Sequence, residues 1–192
     1  MPGYSSALHF IAGCWLAFAS VWLIASVSTK RTVYRESAGE RARYWLLLVT
    51  AYVLLTQGRR LPHPLSFICI PRTALSGWIG AVFCASGLAL AIWARLILGR
   101  NWSGVVTLKE DHELVQRGPY HFVRHPIYTG LQCMFLGTAI AYGTLAAFIA
   151  VPLVFVSFWI KLGKEERLML KQFPDDYRDY QRRVKRLIPF VL

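Results

Sequence analysis

Gly118-Pro-Tyr-His-Phe-Val-Arg-His-Pro-Ile-Tyr-Thr-Gly130 sets two histidines, an arginine, two tyrosines and two prolines ahead of a long apolar segment. Arg124 and His125 therefore stand where a polar loop meets a hydrophobic helix, and charge at such a boundary needs a partner or a function. Residues 126–141 and 145–160 are both apolar, with Gly143-Thr144 between them. So tight a break predicts an antiparallel helical hairpin whose ends return to one side. The second segment ends in Lys161-Leu-Gly-Lys-Glu-Glu166. The hairpin thus brings Arg124-His125 and Glu165-Glu166 to the same membrane face, as two jaws of a site.

Composition supports a membrane setting. Of 192 residues, 55% are hydrophobic and 17% charged, against roughly 25% charged in soluble domains, and mean hydropathy is +0.40. The apolar residues come in blocks, which predicts a single all-α polytopic membrane domain. The formal charge of +12 does not indicate nucleic acid, because the cations cluster between apolar blocks and at the C-terminus. Cytoplasmic loops facing anionic headgroups account for them. Cys14, Cys69, Cys84 and Cys133 fall in or beside apolar segments without CxxC spacing, and read as small buried hydrophobes.

The hydrophobic blocks predict five transmembrane segments. Residues 8–27 form the first, read as a retained span because no basic residue precedes it. Residues 30–43 hold five basic and two acidic side chains and are placed in the cytoplasm by the positive-inside rule. Residues 44–56 are short for a span and must extend into their neighbours. The loop Gly58-Arg-Arg-Leu-Pro-His-Pro64, with Arg72 beyond it, falls outside by alternation. The third span covers residues 75–98, where Gly77, Gly80, Ala85 and Gly87 suit close helix packing. Residues 1–98 thus hold three spans, and residues 99–192 form the half that carries the motifs. After Glu166 the chain alternates apolar and charged residues, which reads as an amphipathic cytoplasmic segment lying in the headgroups, or as a lid over a cofactor.

The sequence lacks GxGxxG after a strand, a P-loop, HExxH and GxSxG. His121 and His125 have a four-residue spacing that suits metal on a helix, but Pro126 disfavours helical geometry at His125 and no third ligand is signalled, so no metal is expected. His112 and His125 read either as donors to a polar ligand or as interfacial histidines bonded to backbone. Glu165 and Glu166 read either as a solvated pair beside Lys161, Lys164 and Arg167, or as carboxylates holding a cationic or hydroxyl-rich cofactor.

The ordered set Gly118-x-Tyr120-x-x-x-Arg124-His125-Pro126-x-Tyr128-x-Gly130, with His112-Glu-Leu-Val115 upstream and Glu165-Glu-x(6)-Phe173-x-x-x-Tyr177-x-x-Tyr180 downstream, resembles the isoprenylcysteine carboxyl methyltransferase family of integral membrane enzymes. The tail Val184-x-Arg186-Leu-Ile-Pro-Phe190 is similar to the same family's, and the likeness covers about residues 99–190. It implies S-adenosylmethionine as methyl donor, bound between the last two spans and the C-terminal segment. Carried over by position, its contacts are His112, Leu114, Val115, Tyr120, His125, Tyr128 and Glu165, with Glu166 beside them. Arg124 and Lys161 are the implied catalytic positions. Lys161 stands where eukaryotic members have an arginine, which keeps the charge but loses the two-pronged grip on a carboxylate. The chain also lacks the extra N-terminal spans of the animal enzymes and resembles a compact prokaryotic-type member.

Methyl transfer from a sulfonium to an ionised carboxylate needs alignment and exclusion of water more than a strong base. A site of tyrosines, histidines and carboxylates at a membrane mouth suits that task, with a lipid-like amphiphile as acceptor. Three other readings make different predictions. An aminophospholipid N-methyltransferase would speed up with pH through the amine's pKa. An NADPH-dependent membrane reductase would bind NADPH, and a membrane scaffold would bind no small-molecule cofactor.

Overall fold

The computed structural model describes residues 2–26, 32–35, 37–99, 107–109 and 114–192. Helices carry the fold: α1 (Pro2–Ser26), α2 (Ala38–Gln57), α3 (Ala74–Leu98), α4 (Pro126–Tyr142), α5 (Leu145–Gln172) and α6 (Pro174–Arg183). One short antiparallel pairing, β1 (Thr32–Arg35) with β2 (Thr107–Lys109), ties the α1–α2 and α3–α4 connections together. Three helices, α1, α3 and α5, are long and apolar enough to cross a membrane. Large apolar side chains such as Leu16, Leu23, Leu46, Val82 and Leu96 point outward from α1, α2 and α3, a distribution that suits lipid as solvent. The chain is an integral membrane protein.

Each helix boundary has a local cause. The 44–56 block extends back to Ala38, giving α2 20 residues. Pro126 opens α4 at its first position, where a missing N–H costs nothing, and His125 ahead of it is non-helical at φ −130°, ψ 61°, as a pre-proline residue should be. Gly143 ends α4 in the left-handed region at φ 68°, a conformation that favours glycine. The Thr144 side chain then accepts from Ala147 N at 3.2 Å and starts α5. The expected hairpin break is thus a C-cap followed at once by an N-cap. The second arm runs further than its apolar stretch: α5 continues through Lys161, Glu165 and Glu166 to Gln172, so the carboxylates sit on a rigid helix.

α3 packs along α4 through small residues. A Cβ on Gly80 would collide with the Gly137 carbonyl, and one on Gly87 with the Gly130 carbonyl. Such backbone approach supplies the packing contact that drives helix association in lipid. Gly87→Ala and Gly130→Ala should each cost about 1–3 kcal/mol by overpacking, seen as a lower unfolding temperature in detergent. Gly163→Ala, where nothing lies within 4 Å of the added carbon, should be neutral or mildly stabilising.

The core is divided by helix pairs. Ala51 and Leu55 of α2 pack with Ala147, Ala150, Val154 and Phe158 of α5, while Ile11 and Cys14 of α1 meet Ala81 and Cys84 of α3 and Met134 of α4. Cys14 and Cys84 are buried, but Cys69 is exposed in the α2–α3 connection, because its segment caps the α4–α5 turn through backbone: Cys69 N and Ile70 N both donate to the Gly143 carbonyl, at 2.8 and 3.1 Å.

Candidate active site

At the other end of the hairpin, the C-terminal segment is stitched to the start of α4. Arg124 N donates to the Lys185 carbonyl at 2.8 Å and His125 N to the Arg186 carbonyl at 3.1 Å. Thr129 Oγ1 donates to the Leu187 carbonyl at 2.8 Å. The segment after α6 therefore pairs with residues 123–125 as an added extended strip. This arrangement fixes Arg124, His125 and Arg186 around the helical carboxylates of α5.

Glu166 is the hub. Its side chain is 4% exposed, and both oxygens are surrounded by donors. Arg124 contacts Oε1 through Nε at 2.9 Å and Nη2 at 2.8 Å. His125 Nε2 lies 3.1 Å from Oε1, Gln181 Nε2 donates to Oε2 at 3.2 Å, and Arg186 closes the cluster with a short contact to Oε2. A buried carboxylate can persist ionised only with such a set of partners. Arg124 is equally committed, donating also to the Val184 carbonyl. Arg186 lies over the Trp159 ring at 4.3 Å.

Glu165, one residue earlier and 23% exposed, has a different surrounding. Tyr128 donates its hydroxyl to Oε1 at 2.6 Å. Lys161 Nζ lies 3.9 Å from Oε1, and His125 Nδ1 lies 3.8 Å from Oε2. Lys161 also stands over the Tyr44 and Tyr128 rings, at 5.8 and 5.5 Å from their centroids. His125 bridges the two carboxylates with its two nitrogens.

The remaining expected residues are placed around this pair. Tyr120 is buried, with Val115 packed against its cluster of Ala94 and Ile127. Its carbonyl accepts from the Tyr180 hydroxyl at 2.5 Å. Leu114 packs on Tyr177, Tyr180 and Val184. Burial raises the Tyr120, Tyr177 and Tyr180 phenols well above their usual range, so all three are protonated donors at neutral pH. His112 lies outside the described residues. His121 is exposed, with its ring edge-on to Phe122. Among the described residues no group of three or more metal-binding side chains occurs.

The sequence reading missed three participants. Gln181 and Arg186 donate to Glu166, and Tyr44 of α2 forms the platform under Lys161. Arg186 had a signal, in the tail motif around Val184. Gln181 and Tyr44 had none, because only the docking of α6 and the α2–α5 contact bring them into reach.

A model of the phospholipid methyltransferase family matches residues 75–176, more than half of the chain, and the chain belongs to that family. It is 29% identical over 160 residues to a protein-S-isoprenylcysteine O-methyltransferase of Schizosaccharomyces pombe, covering 77% of this chain and 67% of the relative. It is 39% identical over 71 residues to methanethiol S-methyltransferase 1 of Bradyrhizobium diazoefficiens, covering 37% of this chain and 24% of that protein. In three dimensions it is similar to a eukaryotic intramembrane Ras methyltransferase, isoprenylcysteine carboxyl methyltransferase, with a TM-score of 0.60 at 28% identity. That likeness covers 83% of this chain and 55% of the solved one. The chain thus spans little more than half the length of that structure. The resemblance to isoprenylcysteine carboxyl methyltransferases therefore holds in both sequence and fold.

Proposed function

We propose that this protein is a membrane S-adenosylmethionine-dependent methyltransferase acting on the polar end, an isoprenylcysteine-like carboxylate, of a lipid-borne acceptor. The observation that carries this reading is the division of labour between adjacent carboxylates. Glu166 is saturated by protein donors, whereas Glu165 is partly exposed and held in place by Tyr128. A fixed carboxylate beside an aromatic ring suits a ligand bearing an ammonium and a sulfonium, and the apolar Leu114 and Val115 suit a flat base. These residues fit the donor, which when bound supplies an electrophilic methyl group for in-line displacement.

The protein's own residues do the rest. Glu165, Tyr128, His125, Leu114, Val115, Tyr120 and, by position, His112 hold the donor. Lys161, kept at the mouth by Tyr44 and Tyr128, orients the acceptor carboxylate as a point charge. Arg124 and Glu166 act as positioning residues that lock the C-terminal strip onto α4. The strip and α6 exclude water from the reacting groups. α2 and α4 complete a set of five spans, with the site on the cytoplasmic side where most of the lysines and arginines gather. The segment from α6 onward lies in the headgroup region and doubles as the lid.

The likeness to a methanethiol S-methyltransferase favours a second acceptor class, a thiol. Methyl transfer to a short prenylcysteine, which offers a carboxylate but no free thiol, and separately to methanethiol, followed as label from the donor, tests both. Transfer to a carboxylate should be independent of pH between about 6 and 8, since the acceptor is already ionised there. A rate that climbs with pH on thiol or amine acceptors, with no product from the carboxylate, would overturn the carboxylate reading.

A further inference from the structure

The end of the bundle opposite the carboxylates carries an unassigned feature. All ten acidic residues of the chain lie in residues 36–40, 110–113 and 165–179, and Glu165 and Glu166 stand at the active-site end. The opposite end holds Arg59, Arg60 and Arg72 with no carboxylate anywhere between residues 41 and 109. Among the described residues none of these arginines forms an ion pair. Arg60 donates to Gln57 Oε1 at 2.9 Å, and Arg72 Nε donates to the Tyr142 carbonyl at 2.8 Å. That bond fixes the plane of the Arg72 guanidinium, while its two Nη groups have no hydrogen bond among the described residues. Burial first, and then the like charge of Arg59, lowers the affinity of Arg72 for its proton. Among the described residues no carboxylate pairs with Arg59 or Arg72.

Arg59 and Arg72 line a cavity of about 190 Å³ between α1, α2 and the α4–α5 turn, with Tyr4, Leu8, Leu55 and Tyr142 as its other main walls. The Tyr4 hydroxyl is engaged with the Ala141 carbonyl at 2.7 Å and the Thr56 hydroxyl with the Tyr52 carbonyl at 2.8 Å, so the two arginines, with Tyr142 beside them in the lining, are placed to meet a ligand. The space is several times the roughly 30 Å³ share of one water and below the 300 Å³ or so of a cofactor site. It suits a phosphate with a glycerol-sized substituent. Leu8 and Leu55 line the cavity on helices whose outer faces are apolar, which suits an acyl-linked ligand.

We propose that this cavity binds a phosphate-bearing anion through Arg59 and Arg72, with the headgroup of an anionic phospholipid in the leaflet opposite the active site as the favoured source. Planar guanidiniums recognise phosphate oxygens in a two-pronged fashion. Such a ligand would neutralise the pair and bridge the α2–α3 connection to the α4–α5 turn. The proposal does not depend on the methyltransferase reading, because no residue of the site takes part.

Native mass spectrometry of the purified full chain in detergent tests it, with phosphatidylglycerol, phosphatidylcholine and inorganic phosphate as separate probes. The wild-type protein should retain phosphatidylglycerol roughly tenfold better than phosphatidylcholine, as charge-assisted hydrogen bonds imply. Arg59→Gln with Arg72→Gln should abolish that preference, and Arg178→Gln with Arg182→Gln, on exposed α6, should leave it intact. Should the double variant fail to fold, Arg59→Gln alone, which has no hydrogen bond among the described residues to lose, should still lower retention, and Arg72→Lys should lower it less than Arg72→Gln. Protection by inorganic phosphate with the same arginine dependence, and no lipid preference, would uphold the anion site and assign it a soluble ligand. Equal phosphatidylglycerol retention in the Arg59/Arg72 variant, or equal loss in the α6 control, would overturn the proposal.

Discussion

Glu166→Ala is expected to destabilise the protein by about 3–5 kcal/mol, because removing one partner of a buried charge cluster strands the others. Arg124, whose side chain is 9% exposed, and Arg186, at 20%, would lose their shared anion. Gln181 and His125 would lose the same acceptor. The damage should be directional. The C-terminal strip is held to α4 by three backbone-acceptor bonds and by this cluster. Loss of the cluster should therefore release residues 184–192 and α6 first, while the α3–α4 contact through Gly80, Gly87, Gly130 and Gly137 persists. Hydrogen exchange checks this: early deuterium uptake across 174–192 with α3 still protected is the expected pattern. Uniform uptake over the whole chain would mean that Glu166 supports the bundle as a whole and not the strip.

Glu165→Gln is expected to spare stability and weaken binding of the methyl donor by roughly 10- to 100-fold, the range implied by about 1.5–3 kcal/mol for a hydrogen bond to a charged group. The substitution keeps an acceptor for the Tyr128 hydroxyl, 2.6 Å away, so packing should survive. It removes the negative charge that Lys161 and His125 approach and that a cationic ligand would meet. Tyr128→Phe should act in the same direction more weakly, since it frees the carboxylate without neutralising it. Isothermal titration gives both affinities. Unchanged affinity in Glu165→Gln, with the unfolding temperature of the parent, would take Glu165 out of the donor site.

The two adjacent glutamates show what a sequence can and cannot reveal here. Their position after an apolar block, and the Gly143-Thr144 break that turns the hairpin, place them opposite Arg124 and His125 by topology alone. The structure agrees on both points, and the non-helical His125 follows from Pro126. The difference between the two carboxylates was not legible. It arises because α5 continues as a helix past its apolar stretch, so consecutive residues project in different directions. One meets the docked C-terminal strip and the other meets α4 and Lys161. Gln181 and Arg186 reach Glu166 only because residues 185–187 pair with 124–129, a long-range contact that no local periodicity encodes. Tyr44 likewise reads as the first residue of a short hydrophobic block, and its role under Lys161 depends on α2 packing beside α5.

The same limit applies to the spans. Composition marks α1, α3 and α5 plainly. α4, with 17 residues, is at the lower bound for crossing a bilayer, and α2 opens with Glu40, Arg41 and Arg43. Their place in the bundle comes from packing, through small residues in α4 and through Ala51 and Leu55 in α2.

Calorimetric titration of S-adenosylmethionine into the purified protein in detergent, with NADPH titrated in parallel, tests the central claim most directly. Saturable binding of the methyl donor, weakened in Glu165→Gln, with none of NADPH is the expected result. Folded protein that binds NADPH, or neither compound, would contradict the account.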